Sequence, residues 1–515
     1  MTAATYTEAE TRRHLIDKAL AQAGWEVTNP NHVGIEIPVD GFDAAAWQVL
    51  EQQLKILRDQ GISYNVTLPS GISDYVLYRT NGEILAVVEA KRTSVDPRLA
   101  QTQAEFYTTE LAKRQSFRPF VFLTNGRQIY FWDSQHAARR LVQGFFTLDD
   151  LENLLYLQQN RQPLTTLPIN TAITNRGYQL ETIKRICEAF EVEKRRKALI
   201  VMATGTGKTR TAMSLVDLFL RANQARRILF VADRDELVKQ ALVEGFAEHI
   251  PNEPCTRITT QNFDTTKRLY AATLQTLSNN FRRFSPGFFD LIIFDEVHRS
   301  IFNKWNEVLQ YFDARMIGLT ATPAGFIDRN TFLQFECYEE GKPTALYTYE
   351  KAIQEGYLVD NEIYVAQTKF QRKGIKGVDL SEEERNQLIE QGIDPDALDY
   401  SGTDLERTVS NKGTLRRQWQ EIMDVCRKEE SGQLPGKTIV FAMTQEHALR
   451  LAEAFNEMYP QFPALIDVIT YKSNHKGMAI EKFKKQSMPR IAISVDMLET
   501  GVNVPEVVNL VFMRP

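Results

Sequence analysis

Apolar positions along the chain change their spacing several times, and each change marks a different kind of element. Thr7-Glu8-Ala9-Glu10 has the form of a capping box, and Leu15, Ile16, Ala19, Leu20 and Ala23 then recur at helical spacing as far as Gly24. An amphipathic helix is expected there, followed by a second helical stretch near 44–57. Short alternating or apolar runs at 75–78 and 84–89, joined by Thr80-Asn81-Gly82, predict a hairpin. A helix over 99–111 and two strands, 120–123 and 129–132, parted by Asn125-Gly126, complete an α+β module.

From about 134 to 171 the chain turns polar, with a Leu-rich helix at 148–157 and then Pro163 and Pro168, which reads as a linker. Beyond it the period changes again. Apolar runs at 198–202, 228–232, 291–294 and 316–320 alternate with helical patterns, as strands buried on both faces of a parallel sheet do. A second set at 438–442, 491–495 and 508–513 starts another sheet of the same kind. Between the two sets, 378–408 carries ten acidic and two basic residues, the pattern of a solvated insertion.

At 515 residues the chain is long enough for about three or four domains, each with its own core. Its 61 basic and 66 acidic residues leave a mildly acidic whole, so a surface for nucleic acid must be a local stripe. Cys187, Cys255, Cys337 and Cys426 lie far apart without a CxxC pair, which suits free thiols in a reducing compartment and argues against a structural metal. The polar, acidic start has no apolar signal core, and no run of about 18 apolar residues occurs. A soluble, cytoplasmic protein is expected, with no membrane partner.

The strongest chemical signal is Ala203-Thr204-Gly205-Thr206-Gly207-Lys208-Thr209 after a buried strand. Gly205 and Gly207 let backbone N–H groups turn toward phosphates, and the helix that follows adds its positive end. Thr204 and Thr206 belong to the same cradle. Lys208 is expected to neutralise the β- and γ-phosphates of ATP, and Thr209 to offer its hydroxyl to Mg²⁺. Asp295, ending the strand at 291–294, would hold that ion, and Glu296 would orient and deprotonate the attacking water. The leading glycine of the strict eight-residue pattern is replaced by Met202.

A different chemistry is suggested by Asp74, Glu89 and Lys91. Phosphodiester cleavage needs hard divalent cations, whose preferred ligands are carboxylate and carbonyl oxygens. Asp74 and Glu89 fall on neighbouring strands of the expected hairpin, with the Ala90 carbonyl as a further ligand, and Lys91 lies two residues on along the same strand face. A salt-bridged edge strand is the plain alternative for such a pattern. Glu8 or Glu10 on the first helix is a further acidic group within the module.

About two thirds of the chain resembles superfamily 2 helicase and translocase motors. Ala203 to Thr209 is similar to motif I, Asp295-Glu296-Val297-His298 to motif II, and Thr320-Ala321-Thr322-Pro323 to motif III. Residues 230–236, 273–277 and 495–505 resemble motifs Ia, Ib and V, and the position of Gln179 in Gly177-Tyr178-Gln179 implies a contact to the adenine base. No counterpart of motif VI precedes Pro515, which reads as a fragment of a longer motor.

Ile72-Ser73-Asp74 with Glu89-Ala90-Lys91 resembles the PD-(D/E)xK nuclease core, Ser73 standing for its proline, and Gln103 and Tyr107 match the Gln-x-x-x-Tyr of RecB-like members, which places that pair beside the catalytic carboxylates. A nuclease module ahead of such a motor is similar to the motor and cleavage subunit of type I restriction endonucleases. The resemblance implies an α+β PD-(D/E)xK domain over 1–150, a linker over 151–171, and a RecA-like α/β domain over 172–335. A connector over 336–430 and a second, incomplete RecA-like domain over 431–515 follow. It further implies ATP and Mg²⁺ as cofactors, double-stranded DNA held chiefly through phosphates, and methyltransferase and specificity subunits as partners. Two alternatives stay open from the residues: a stand-alone helicase-nuclease of repair or another defence system, and an ATP-responsive DNA clamp with an inactive nuclease module.

Overall fold

The computed structural model describes residues 6–38, 72–297, 304–322, 324–327, 329–339, 342–365, 375–376, 385, 399–400, 412–470, 476–495 and 504–513. The helix expected at 44–57, most of the acidic stretch, His298, Pro323 and residues 496–503 lie outside the described residues. The chain divides into two units, Met1–Val359 and Asp360–Pro515.

The first unit holds two sheets. One has six strands in sequence order, β1 (Val33–Pro38), β2 (Ile72–Tyr78), β3 (Ile84–Ala90), β4 (Phe120–Thr124), β5 (Ile129–Trp132) and β6 (Arg140–Val142). Every neighbouring pair is antiparallel except β3 and β4. A parallel pair needs a crossover, and the helix Gln101–Leu111 supplies it. The β2–β3 hairpin closes where Arg79 N–H donates to the Glu83 carbonyl at 2.9 Å, with Gly82 at φ +85°.

Side-chain alternation sends Tyr75, Leu77, Val88 and Ala90 into one core with Ile16, Leu20 and Trp25, while Val76 and Val87 pack on Tyr107 and Leu111 of the crossover helix. The opening helix is interrupted: Glu8–Thr11 and Asp17–Gln22 are joined by a π turn, Arg12–Ile16. Thr7 and Glu10 form the expected capping box, so Glu10 is spent on the helix end.

The second sheet runs β13-β7-β12-β11-β8-β10-β9 and is parallel throughout, with β7 (Lys197–Met202), β8 (Ile228–Ala232), β9 (Cys255–Arg257), β10 (Leu269–Thr273), β11 (Leu291–Asp295), β12 (Arg315–Thr320) and β13 (Ala345–Tyr347). Alternate residues enter two separate cores: Ile200 and Met202 one, Leu199 and Val201 the other. Burial on both faces explains the unbroken apolar runs. Because all strands point one way, the ends of β7, β11 and β12 meet at one edge, where open parallel sheets hold their ligands. β13 extends this sheet past residue 335, the expected boundary.

The helix Leu148–Asn160 joins the sheets, so the segment expected as a linker from 151 begins inside it. Its Leu151 and Leu155 are buried in the core of the first sheet. Its polar face meets the second: Asn153 donates to Asp290 at 2.8 Å and Arg227 pairs with Asp150 at 3.0 Å. Alongside, Arg140 grips both oxygens of Asp313 at 2.5 and 2.6 Å, and Arg196 adds a contact at 3.0 Å.

The second unit contains a two-stranded antiparallel pair, β14 (Ile375–Lys376) and β15 (Asp399–Tyr400), and a four-stranded parallel sheet. That sheet runs β17-β18-β16-β19, with β16 (Lys437–Phe441), β17 (Ile466–Ile469), β18 (Ile491–Ser494) and β19 (Val507–Phe512). Trp419 is buried against it, its indole N–H donating to the Leu451 carbonyl at 2.9 Å.

Candidate functional site

Two polar centres form in the first unit, both at strand ends. At the first sheet, Glu89 comes near the end of β3 and is completely buried. One oxygen accepts from the Ser73 hydroxyl at 3.0 Å, and the other, Oε2, is buried without a hydrogen-bond partner. Asp74, on β2, accepts the Ala90 N–H at 2.7 Å through one oxygen and meets Arg12 at 3.3 Å through the other. Burial, reinforced by Asp74, pushes the Glu89 carboxyl up to about 8, and burial also raises that of Asp74.

A carboxylate held out of water with an idle oxygen is costly unless something positive shares it. The donor set fits a hard divalent cation: two carboxylates, with the Ala90 carbonyl following directly after Glu89. Among the described residues no group of three or more His, Cys, Asp or Glu side chains is arranged to hold a metal, so any ion here rests on two. Lys91 is half-buried after the strand end and its N–H donates to the Thr124 carbonyl at 2.8 Å. Gln103 donates to the Tyr107 hydroxyl at 3.0 Å, and Tyr107 packs with Val87, two residues before Glu89 on the same strand face.

At the second sheet the loop after β7 turns through Gly205 and Gly207, at φ +82° and +83°, conformations open to glycine at little cost. Gly207 is also the cap of the helix Lys208–Arg221. Thr204 is exposed, and Thr206 is buried, its hydroxyl donating to the Ala203 carbonyl at 2.6 Å. The Lys208 ammonium lies 3.3 Å from Glu296. Thr209, in the first helical turn, is half-buried.

Asp295 closes β11 and accepts the Glu296 N–H at 3.1 Å, while Glu296 sits at φ +55°, a strained setting for a side chain of its size. Burial, with Glu296 adding to it, pushes Asp295 up to about 7 against the pull of Lys208. Thr320 ends the strand between β7 and β11, and its hydroxyl accepts the Thr322 N–H at 3.1 Å.

Gln179 was expected to face a base. Its amide reaches the loop, donating to the Thr206 carbonyl at 3.0 Å and accepting from Thr174. Tyr178 donates to the same carbonyl at 2.8 Å and stacks on Tyr347 at 3.9 Å. These side chains brace the loop. Arg12 and the Arg140–Asp313 seam were missed, because nothing in local spacing pairs residues so far apart in the chain.

Comparison with known proteins finds a match over each of the two sheets of the first unit. Residues 5–140 match the family model for the type I restriction enzyme R protein N terminus, and residues 172–325 match that of the type III restriction enzyme res subunit. The chain is 27% identical to the type I restriction enzyme EcoAI endonuclease subunit of Escherichia coli, over 96% of this chain and 60% of that protein. It is 28% identical to the EcoKI endonuclease subunit of Escherichia coli K12, over 98% of this chain and 49% of that one. It thus spans about half the length of these curated relatives. A fragment structure from Vibrio vulnificus YJ016, assigned as the HsdR subunit of a type I restriction enzyme, aligns over 100% of this chain and 88% of its own at 24% identity and a TM-score of 0.46. With one model on each sheet of the first unit and relatives matched along nearly the whole chain, the protein is similar to type I restriction enzyme R subunits and carries a helicase-like module.

Proposed function

We propose that this chain is the ATP-driven motor and cutting part of a type I restriction-modification complex. In that complex, methyltransferase and specificity subunits recognise the site, and unmethylated double-stranded DNA is pulled in and cleaved away from it, in the cytoplasm. The first sheet is read as a PD-(D/E)xK domain over 1–150. The second sheet and the four-stranded sheet are read as two RecA-like domains, the second incomplete, around 172–335 and 431–515.

The observation that carries the reading is Glu89: fully buried, with one oxygen idle, beside Asp74. Asp74, Glu89 and the Ala90 carbonyl would hold a divalent cation such as Mg²⁺, which would supply charge for activating water and for the charge that develops on the phosphate. Lys91 supplies positive charge toward the scissile phosphate, and Gln103 with Tyr107 holds the crossover helix beside the carboxylates. At the other centre, Lys208 now neutralises Glu296. With a triphosphate in the loop the Lys208 ammonium would turn to its phosphates, leaving Glu296 to take a proton from water, and Thr209 and Asp295 would hold the accompanying Mg²⁺.

The test separates the two centres in the assembled complex. Glu89→Ala is expected to keep ATP hydrolysis within about twofold while plasmid cleavage falls by about 10³ or more. Lys208→Ala is expected to lose nucleotide binding, and with it both activities. Cleavage that survives Glu89→Ala, or ATP affinity that survives Lys208→Ala, contradicts the reading.

A further inference from the structure

Arg12 stands where the opening helix passes into its π turn, a distortion common at functional positions. Its guanidinium lies over the Tyr75 ring at 5.1 Å, and Tyr75 is fixed by a 2.7 Å hydrogen bond to Asp17. From this perch one nitrogen, Nη1, is shared between two carboxylates, Glu36 at 3.0 Å and Asp74 at 3.3 Å. The side chains of Arg12 and Asp74 are 17% and 15% exposed, so the pair is little screened, whereas Glu36 is 68% exposed.

Glu36 is itself unusual. It adopts φ +53° inside β1, between the ladder pairs Ile35 with Tyr75 and Ile37 with Ser73, which sets it across from Asp74. A glutamate in the left-handed region within a strand is a strained arrangement, and such strain is a pointer to function. Asp74 is therefore covered on both oxygens, by Arg12 and by the Ala90 N–H, while Glu89 nearby keeps an oxygen without a partner.

We propose that Arg12 is a built-in placeholder for the cation of the cutting site. With no ion bound it supplies the positive charge at Asp74. When a divalent cation arrives, Arg12 gives up Asp74 and stays on Glu36, the carboxylate it already touches. Arg12 and Glu36 thereby set how much cation the site needs, and they tie its occupancy to the N-terminal helix. The inference rests on Asp74 and Glu89 being a cation site, and goes beyond it in assigning the competitor.

The test is Mn²⁺ binding, followed by electron paramagnetic resonance on the full chain without nucleotide, in an Asp295→Asn background that removes the carboxylate ligand of the other centre. Arg12→Gln is expected to bind Mn²⁺ about tenfold more tightly, because a positive charge next to the ligand is gone. Arg12→Lys should stay within about twofold of the parent, and Glu36→Gln should bind several-fold more weakly, since Arg12 is then left to Asp74 alone. Opposite effects from two touching side chains are not a folding artefact, and Glu36→Gln, exposed and of equal size, serves even if Arg12→Gln does not fold. Unchanged or weaker binding in Arg12→Gln, with Asp74→Ala still abolishing it, overturns the placeholder and leaves the cutting site standing. Equal tightening by Arg12→Lys overturns it too. Mn²⁺ binding that never depends on Asp74 removes the cation site and the proposal together.

Discussion

Asp313 in the seam between the two sheets, and Glu89 and Asp295 at the strand ends, are about equally hidden from water, yet their surroundings push them in opposite directions. Burial alone would raise Asp313, but Arg140 and Arg196 outweigh it and hold its carboxyl below the ordinary range. Asp150 is likewise gripped by Arg227 and held by Ser285 and the Thr147 N–H. Glu89 and Asp295 have no such saturation and stand at about 8 and about 7. The seam spends its charges on structure; the strand ends keep theirs incomplete, which is the signature expected where a ligand is to come.

Several substitutions would break or sharpen that contrast. Asp313→Ala strands two half-buried guanidiniums and is expected to cost about 3–5 kcal/mol or prevent accumulation of folded protein. Denaturant unfolding measures it, and a loss below about 1 kcal/mol would mean that the seam is not saturated by this carboxylate.

Glu89→Gln should act the other way in the cation-free protein. The folded pKa of about 8 exceeds the ordinary 4.5, so the folded chain holds the extra proton between those values. Stability from this group is complete below 4.5 and is lost as pH rises through about 8. The amide removes that loss, so Glu89→Gln should gain roughly 4 kcal/mol at pH 8 and almost nothing near pH 4.5, read from melting curves in chelator. A variant less stable than the parent at pH 8 would show that Glu89 is as well compensated as Asp313.

The smallest effect is on the joining helix. Thr147 and Asp150 form a capping box, so Thr147→Ala should cost about 1 kcal/mol. It should also speed amide exchange across 148–153, while a Glu10→Ala change leaves that exchange untouched.

Much of this molecule was legible from spacing. Unbroken apolar runs at 198–202 and 291–294 meant strands buried on both faces, and Asn-Gly turns marked both hairpins correctly. β10 was not read as a strand, because Ala271 and Ala272 lower the β signal of a five-residue run, and β9 and β13 are only three residues long. The helix Leu148–Asn160 fell within a stretch read as a linker, whereas its polar face meets the second sheet. Its partners are set by tertiary approach, with Arg140 and Asp313 separated by 173 positions, and no local pattern encodes such a pairing. Asp74, Glu89 and the loop lysine could be named because their chemistry fixes residue type at fixed spacing, whereas Arg12 has only its place in the fold.

The most direct test is a crystal of the cation-free protein soaked in Mn²⁺ and examined by anomalous scattering. The account predicts a peak within ligand distance of Asp74 and Glu89, with none at Asp313 or Asp150. An empty Glu89 in an intact lattice, or a peak at the seam carboxylates instead, would contradict it.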